Sequence, residues 1–233
     1  MQLPFFFEEN IVQQGNLFLG EETSRHIVQV LRMREGEEVM LTNGKGYLLT
    51  ATIIKADKKK TEVAIISQTY NERVTSKVSI AISLIKNAHR FEWFLEKATE
   101  IGVKEIIPML CKRTEKHQIK RSRMNSIITS AMLQSRQNWL PDISESMDFS
   151  DVVRSTQYQQ SFIAHCADGE KKSVHDLESG KSSKIILIGP EGDFTQEEIN
   201  DALKNNFVPV SLGETRLRTE TAGLVAAVLL LNK

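Results

Sequence analysis

Cysteine is scarce in this chain of 233 residues, which contains only Cys111 and Cys166. The two lie far apart and neither belongs to a Cys-x-x-Cys pair, so the sequence predicts neither a disulfide framework nor a zinc site. No His-Glu-x-x-His segment is present, and we expect no bound metal. Cys166 follows His165, but neighbouring residues of a strand point to opposite faces, which argues against a Cys-His nucleophile pair. We expect Cys166 to be a small core residue.

Long apolar runs are also missing. The longest, over residues 222–231, is too short to span a bilayer. The beginning of the chain has neither a basic segment nor a cleavage site, and the three phenylalanines at 5–7 are too few for a signal core. We therefore expect a cytoplasmic protein with no membrane partner.

The chain lacks the short motifs that hold phosphate or activate a serine. Neither Gly-x-x-x-x-Gly-Lys-Ser/Thr nor Gly-x-Gly-x-x-Gly occurs, and no serine sits in Gly-x-Ser-x-Gly. The glycine-bearing loop at 189–192 contains Glu191 and is followed by Asp193. Both acids would repel phosphate at the helix N-terminus that comes next, where anions are normally stabilised. A neutral or cationic ligand fits this loop better.

The net charge is zero at pH 7, but the charges are unevenly distributed. Residues 1–72 have a net charge of −2 and residues 140–233 one of −6. Residues 73–139 contain 13 Lys or Arg and 5 Asp or Glu, a net charge of +8. A basic segment of this density is typical of proteins that bind a phosphate backbone. The alternative is a solvated basic face without a partner.

The first seventy residues are rich in short β-type runs separated by turn residues. The predicted strands are 16–19, 38–42, 47–54 and 62–66. Asn43-Gly44-Lys45-Gly46 predicts a hairpin turn, and one helix is expected at 21–31. Several short strands with one helix indicate a small barrel. Its basic edge contains Arg25, His26, Arg32 and Arg34.

A polar connector at 71–77 separates this region from a segment in which strands and helices alternate. Strands are predicted at 78–85, 103–110, 162–167, 184–188 and 208–212, and helices at 90–101, from about 124 to 139, and 220–230. Gly102 is expected to cap the first helix and Pro141 to end the second. The alternation predicts a parallel α/β sheet. The last helix is apolar nearly all round, so it should be buried within the subunit or against a second copy.

Two loops that follow predicted strands carry polar residues. Gly189-Pro190-Glu191-Gly192 follows strand 184–188, and a helix begins at once, with Thr195 as N-cap and Glu198 completing a capping box. Residues 213–221 follow strand 208–212. Parallel strands end at the same edge of a sheet, where α/β folds bind ligands, so the two loops should form one site. The alternative is that the glycines only satisfy turn geometry.

These features together resemble the RsmE family of ribosomal RNA methyltransferases over nearly the whole chain. The most specific matches are Gly189-Pro190-Glu191-Gly192 and the segment running from Leu212-Gly213 to Leu217-Arg218-Thr219-Glu220-Thr221-Ala222. Further matches are His26, Val30-Leu31-Arg32, Gly36, Lys86, Arg90, residues 96–103, Pro108, Gln134-Ser135 and Pro141.

The sequence departs from the usual family pattern at three places. Arg136, within Leu133-Gln134-Ser135-Arg136-Gln137, stands where the family usually has glycine. Asp193 stands where a second glycine usually follows Gly-Pro-Glu-Gly. Thr215 and Arg216 take the places of a basic residue and an apolar residue.

The resemblance implies a PUA-like RNA-binding β-barrel at 1–72 and a SPOUT-type α/β methyltransferase domain at 73–233. The mainly parallel sheet of the second domain would end in a trefoil knot, with the knot and cofactor site at about 160–233. The family is similar in using S-adenosylmethionine, in forming homodimers and in methylating N3 of a uridine in the 16S rRNA of the small ribosomal subunit.

The resemblance also implies roles for particular residues. The cofactor is expected to contact His165, Cys166, Ala167, Ile188, Gly189, Pro190, Glu191, Gly192, Leu212, Gly213, Leu217 and Thr219. RNA is expected to contact Arg25, His26, Arg32, Arg34, Lys86, Arg90, Lys97, Arg113, Arg121, Arg123 and Gln134. Arg218 is the candidate for stabilising charge on the uracil oxygens and Glu220 the candidate base. The alternative for Glu220 is an acid that favours the helix start.

Two other function classes stay open from the sequence. One is a SPOUT enzyme that methylates tRNA ribose. The other is an RNA-binding ribosome-assembly factor without catalysis, although the intact loops at 189–192 and 212–222 argue against it. Binding of S-adenosylmethionine and the identity of the methylated RNA distinguish these classes.

Overall fold

The computed structural model describes residues 3–12, 14–73, 78–115, 118–155, 157–177 and 182–232. The described residues form two compact units. The first contains those of 1–74 together with 132–140, and the second those of 75–131 and 141–233. Residues 74–77 of the predicted connector lie outside the described residues.

The first unit is a five-stranded sheet that curls around an apolar core. Its strands are β1 Phe5–Phe7, β2 Asn16–Phe18, β3 Glu38–Thr42, β4 Tyr47–Lys55 and β5 Glu62–Tyr70. They lie in the order β1-β3-β4-β5-β2, with β1 and β3 parallel and the other pairs antiparallel. Two register shifts between β4 and β5 increase the local twist. Val39, Leu41, Leu49 and Ile53 are among the buried core residues, in agreement with the predicted PUA-like barrel.

Two elements of this unit differ from the sequence prediction. β1 was not predicted, because three apolar residues show no periodicity; it pairs with β3 and buries Phe6. The helix expected at 21–31 is α-helical over Glu21–Arg25, which is α1, and continues as a π-helical turn over His26–Val30. Ile27 in that turn is fully buried, so the turn closes one side of the core.

Residues 132–140, which we call the strap, pack against the first unit. The amide of Gly46 donates to the carbonyl of Asn138 and the amide of Leu140 to that of Gly44, both at 2.8 Å. Trp139 Nε1 donates to the carbonyl of Asn71 at 2.9 Å. The predicted hairpin turn between β3 and β4 is therefore confirmed, and it also receives the strap.

The long helix α3 spans Arg121–Gln134, so the expectation that it reaches Trp139 and is ended by Pro141 is wrong. The cause is Arg136, whose φ of 56° is left-handed. The amide of Gln137 donates to the carbonyl of Met132 at 3.0 Å and the amide of Arg136 to that of Leu133 at 3.2 Å. These are the two bonds of a Schellman cap, which usually calls for glycine. An arginine at this place gives no sequence signal for a helix end.

The second unit is an α/β sheet in which every described strand pair is parallel. Its strands are β6 Val78–Ser83, β7 Glu105–Leu110, β8 Asp142–Ile143, β9 Met147–Asp148, β10 Gln160–Ala164, β11 Lys172–Ser173, β12 Lys184–Ile188 and β13 Val208–Ser211. The order is β11-β13-β10-β12-β6-β7-β8, and β9 also pairs with β7. β6 and β12 are buried throughout, in keeping with their mainly apolar sequences. The predicted parallel sheet is confirmed.

The remaining helices of this unit are α2 Ala88–Glu100, α4 Phe149–Ser155, α5 Gln196–Lys204 and α6 Thr219–Leu231. Gly102 follows α2 with a φ of 88°, as expected for a C-terminal cap. The capping box of α5 is present: the Thr195 hydroxyl accepts from the amide of Glu198 at 3.2 Å, and Glu198 Oε2 accepts from the amide of Thr195 at 2.7 Å.

Near its end the chain crosses β10 twice. β13 lies on the side of β10 that faces away from β12, and α6 returns to pack against α2, β6 and β12. A trefoil knot at the C-terminal end requires a path of this kind.

Helix α6 buries only part of its apolar surface within the described chain. Gly223, Ala226, Ala227 and Leu230 are buried, whereas Val228 is 40% exposed. Gly223 allows close packing, because a Cβ there would lie 2.8 Å from Cε2 of Phe94. Among the described residues, no helix has both the length and the apolar character needed to cross a membrane.

Candidate functional site

Three adjacent strands, β12, β10 and β13, end at one edge of the second unit. The loops that follow them surround a cleft of about 570 Å³. Clefts of this size commonly hold small molecules and cofactors. The loop after β12 and the loop after β13, which the sequence predicted to meet, therefore line the same cleft together with the start of the loop after β10.

Ten of the twelve residues expected to contact a cofactor line this cleft. They are His165, Cys166, Ile188, Gly189, Pro190, Glu191, Leu212, Gly213, Leu217 and Thr219. Ala167 and Gly192 are outside the lining. The carbonyl of Ala167 accepts from Lys171 Nζ at 2.6 Å, and the carbonyl of Gly192 accepts from Arg113 Nη1 at 2.6 Å.

The cleft also contains residues that the sequence reading did not assign to a cofactor. These are Arg90, Ala164, Lys171, Asp193, Val210, Ser211, Glu214, Thr215, Arg216, Arg218 and Ala222, of which Arg90 was assigned to RNA and Arg218 to catalysis. Most of them are within three positions in the chain of a residue predicted to contact the cofactor, so extending the predicted loop segments by a few residues would have included them. Lys171 and Arg90 enter from other segments, and nothing in the local sequence indicated that they reach this edge.

The loop 189–193 is held by contacts from three other segments. The hydroxyl of Thr219 donates to the carbonyl of Gly189 at 3.0 Å. The amide of Lys86 donates to Glu191 Oε1 at 3.0 Å, and the amide of Cys166 donates to Asp193 Oδ2 at 2.8 Å. The loop is therefore tied both to the neighbouring strand end and to the start of α6.

Asp193 has a left-handed backbone with φ of 63°, at the place where the family usually has glycine. Aspartate tolerates this conformation better than most residues, because its short carboxylate can bond to nearby amides. Here Oδ1 accepts from the amide of Phe194 at 2.8 Å while Oδ2 accepts from Cys166. The substitution therefore keeps the loop conformation and adds a negative charge to the cleft.

His165 presents an unsatisfied polar atom in the same region. Its Nδ1 is buried and has no hydrogen-bond partner among the described residues. Burial lowers the pKa of His165 and the charge of Lys171 acts in the same direction, whereas the charge of Asp193 and a hydrogen bond between the ring and the backbone of Ala167 oppose both. A buried ring nitrogen at the cleft suits a ligand with hydrogen-bonding groups, and S-adenosylmethionine has such groups. The cleft lining has charges of both signs, with the acids Glu191, Asp193 and Glu214 and the bases Arg90, Lys171, Arg216 and Arg218.

Cys166 is exposed, so the expectation that it is a core residue is wrong. The strand β10 ends at Ala164, and Cys166 belongs to the loop that lines the cleft. Cys111 is the buried cysteine, and burial raises the pKa of its thiol to about 12.

In the native protein we expect iodoacetamide to alkylate Cys166 and not Cys111, because Cys166 is exposed to the reagent whereas Cys111 is buried and burial raises the pKa of its thiol. Mass spectrometry of the tryptic peptides measures the labelled fraction at each position. In concentrated urea both cysteines should react, which controls for peptide recovery. Equal labelling without denaturant would contradict the assignment of Cys111 to the core.

The two candidate catalytic residues occupy different positions. Arg218 lines the cleft as the N-cap residue of α6, and its side chain makes no capping hydrogen bond. Glu220, in the first turn of α6, is 7% exposed and outside the cleft lining. Its Oε1 faces Nε of Arg90 at 3.7 Å. Arg218 therefore belongs to the cleft lining, while Glu220 forms an ion pair with Arg90.

Several basic residues of the second unit that were expected to contact RNA already have acidic partners. The pairs are Lys86 with Glu115 at 2.8 Å, Lys97 with Glu96 at 2.7 Å and with Glu100 at 2.8 Å, Arg121 with Glu145, and Arg123 with Glu92 at 2.8 Å. Their hydrogen bonds to carboxylates raise the pKa of Lys86, Lys97 and Arg123. Exposed ion pairs of this kind are weak, so phosphate groups can replace the acids. Residues 116 and 117 of this basic segment lie outside the described residues.

The basic residues of the first unit are exposed. Arg25 pairs with Glu21 at 2.6 Å, and the ring of His26 meets the edge of Phe6 with centroids 5.6 Å apart. Arg32 and Arg34 follow the π-helical turn, beside Val30, which is 67% exposed. Gln134 is exposed at the end of α3. Leu31, next to Arg32 in the chain, is a second exposed apolar residue of this stretch.

Comparison with known proteins agrees with this architecture. Residues 72–231 match the family described as "RNA methyltransferase domain", and residues 19–66 match "RNA methyltransferase PUA domain". Ribosomal RNA small subunit methyltransferase E of Bacillus subtilis is 31% identical over 222 residues, which cover 89% of this chain and 86% of the relative.

Two crystal structures are similar over nearly the whole chain. A probable rRNA-methyltransferase from Porphyromonas gingivalis has a TM-score of 0.91 at 37% identity, covering 97% of this chain and 96% of that one. A methyltransferase from Legionella pneumophila, in complex with the cofactor SAM, has a TM-score of 0.89 at 30% identity, covering 99% and 97%. With the cleft, the parallel sheet and the curled N-terminal sheet, these matches lead to one conclusion: the chain belongs to the RsmE family of RNA methyltransferases.

Proposed function

We propose that this protein transfers the methyl group of S-adenosylmethionine to N3 of a uridine in 16S rRNA. The observation that carries the proposal is the cleft at the ends of β12, β10 and β13, with the guanidinium-bearing Arg218 in its lining. The Legionella methyltransferase, similar over almost its full length, was crystallised with SAM. Membership of the RsmE family supports the choice of rRNA.

The residues proposed to hold the cofactor are those of the three loops. Backbone groups of residues 165–167, 188–192 and 212–217 would contact the adenosine. The hydrogen bond from the hydroxyl of Thr219 to the carbonyl of Gly189 would hold the loop in place. Gly213, whose φ is 144° and around which a Cβ would meet no atom within 4 Å, leaves open space at the cleft. When bound, S-adenosylmethionine supplies an electrophilic methyl group on a positively charged sulfur. The acidic residues Glu191 and Asp193 balance that charge.

The chain's own contribution to catalysis would be mainly positioning and charge stabilisation. A uridine N3 carries a proton, and its loss leaves negative charge on the uracil oxygens. Arg218 is proposed to stabilise that charge. Glu220 is the proposed base, which requires its ion pair with Arg90 to open, because Glu220 is outside the cleft lining. The uracil must leave its stack to present N3.

The two units are proposed to have different roles, RNA binding and methyl transfer. Residues 1–72 are proposed as the PUA-like RNA-binding barrel and residues 73–233 as the methyltransferase domain, with the knot and cofactor site at about 160–233. Exposed basic residues of both, such as Arg25 and Arg32 of the first and Arg121 and Arg123 of the second, would contact rRNA phosphates. The partly exposed apolar face of α6, including Val228, supports a homodimer through that helix. Action on the small ribosomal subunit implies a cytoplasmic location.

Incubation of the protein with S-adenosylmethionine labelled in the methyl group tests the proposal directly. Unmodified small ribosomal subunits and bulk tRNA serve as alternative acceptors, and nucleoside analysis identifies the product. Label in 16S rRNA as 3-methyluridine is the expected result. Label only in tRNA ribose would favour the tRNA enzyme, and absence of cofactor binding by calorimetry would favour a non-catalytic assembly factor; either outcome overturns the proposal.

Cofactor affinity should depend on the protonation of His165. Because burial and Lys171 lower its pKa, His165 is neutral near pH 7 and gains a positive charge on acidification. That charge opposes a cationic ligand, so the Kd of S-adenosylmethionine should rise as the pH falls from about 7 to about 5. Calorimetry across this range measures the effect. In His165→Asn the rise should be smaller, and a pH-independent Kd in the unmodified protein would contradict the prediction.

A further inference from the structure

Arg113 differs from Lys86, Lys97, Arg121 and Arg123, because its hydrogen-bond partners among the described residues are backbone carbonyls and not acids. Nη1 donates to the carbonyl of Gly192 at 2.6 Å and lies 3.4 Å from the carbonyl of Phe194. These two carbonyls flank Asp193, the residue that bonds to Cys166 across the cleft. Arg113 thus contacts the loop 189–193, which we call the cofactor loop, from outside the cleft, because Arg113 is not part of the cleft lining.

The backbone that carries Arg113 is fixed on both sides. The amide of Lys112 donates to Glu198 Oε1 at 2.8 Å, so the same carboxylate that caps α5 also holds this segment. Thr114 is buried, and its hydroxyl accepts from the amide of Cys111 at 2.8 Å and lies 2.8 Å from the hydroxyl of Ser83. A guanidinium carried by such a fixed backbone segment is preorganised, so it can define the position of the loop 189–193 that it contacts.

The packing of Gly192 matches the same arrangement. A Cβ at this position would lie 3.3 Å from Cδ and 3.6 Å from Cβ of Arg113. The absence of a side chain at Gly192 therefore allows the stem of Arg113 to lie along the loop. Arg113 therefore contacts Gly192 in two ways, by the hydrogen bond to its carbonyl and by the close packing of the Arg113 side chain against its Cα.

We propose that Arg113 is a positioning residue for the cofactor loop, and that it is not one of the contacts to RNA phosphate. The inference rests on the proposed function, because it assigns to loop 189–193 the binding of S-adenosylmethionine. Its physical basis is the charge-assisted hydrogen bond to Gly192, which is stronger than a bond between neutral groups and fixes the loop before the ligand arrives. Without it the loop must be ordered by the ligand itself.

Calorimetry with S-adenosylmethionine, together with binding of a small-subunit rRNA transcript at several salt concentrations, separates the two roles. For Arg113→Ala we expect the Kd and KM of S-adenosylmethionine to rise about tenfold, with kcat at saturating cofactor and the salt slope of RNA binding unchanged. Arg113→Lys should restore part of the affinity. Arg121→Ala is the comparison, because Arg121 pairs with an exposed acid and should lower the RNA salt slope while leaving the cofactor Kd unchanged.

Gly192→Ala alone keeps the inference testable if Arg113→Ala is poorly folded, and a double-mutant cycle of the two changes tests it further if both variants fold. The added methyl group should weaken cofactor binding when Arg113 is present, because the two side chains compete for one space. In the Arg113→Ala background the same change should have a smaller effect. Equal cofactor affinity in wild type and Arg113→Ala, or fully additive effects in the cycle, would overturn the inference. Failure of the wild type to bind S-adenosylmethionine would instead overturn the proposed function.

Discussion

Replacement of Arg218 by alanine is expected to lower the rate of methyl transfer about 100- to 1000-fold, the usual loss when a preorganised donor to developing negative charge is removed. The residue lines the cleft at the start of α6, and its side chain makes no capping hydrogen bond. The Kd of S-adenosylmethionine should stay near the wild-type value, because backbone groups of the loops are proposed to hold the cofactor. Single-turnover transfer from labelled cofactor to small subunits measures the rate, and calorimetry measures the affinity.

Arg216→Ala is a matched control, because Arg216 lies in the same loop and also lines the cleft. It stands where the family usually has an apolar residue, so its removal should change the rate much less than removal of Arg218. Arg218→Lys keeps the charge but not the planar donor pair, and should recover only part of the activity. A turnover of Arg218→Ala equal to that of the wild type would refute the assigned role.

Replacement of Gly46 by alanine is expected to destabilise the protein by about 2–4 kcal/mol, the sum of backbone strain and overpacking. Gly46 has a φ of 90°, which alanine rarely adopts. An added Cβ would lie 2.6 Å from Cζ2 of Trp139 and 2.8 Å from the carbonyl oxygen of Asn71. The strap would have to move away from the hairpin, breaking the bonds that Asn138 and Trp139 make there. Urea denaturation followed by circular dichroism measures the free energy of unfolding.

Gly36→Ala separates the two contributions. Gly36 has a nearly equal φ of 88°, but no atom lies within 4 Å of the position that a Cβ would take. Its replacement should therefore show the backbone strain alone, about 1 kcal/mol. If Gly36→Ala and Gly46→Ala destabilise the protein equally, close packing of the strap against the hairpin contributes nothing to stability.

The sequence by itself was sufficient where the controlling residues are neighbours in the chain. The apolar run at 185–188 lies in the fully buried strand β12, and Thr195 with Glu198 forms the expected capping box. Asn43 to Gly46 turns the chain between β3 and β4. The sequence also predicted that the polar loops after β12 and β13 lie together, because parallel strands end at a common edge. Both loops line one cleft. The sequence did not predict where α3 ends, because Arg136 adopts a left-handed conformation that is unusual for arginine.

The tertiary structure alone decided which partners the functional side chains have. Arg113 meets Gly192 across 79 positions of the chain, and the amide of Lys86 meets Glu191 across 105. Such contacts depend on strand order and loop path, which periodicity and capping do not encode. For the same reason the strap could not be assigned to the first unit, nor Glu220 to its ion pair with Arg90. Local sequence thus determined the elements and the edge where the site lies, while packing between distant segments determined which charges face the ligand.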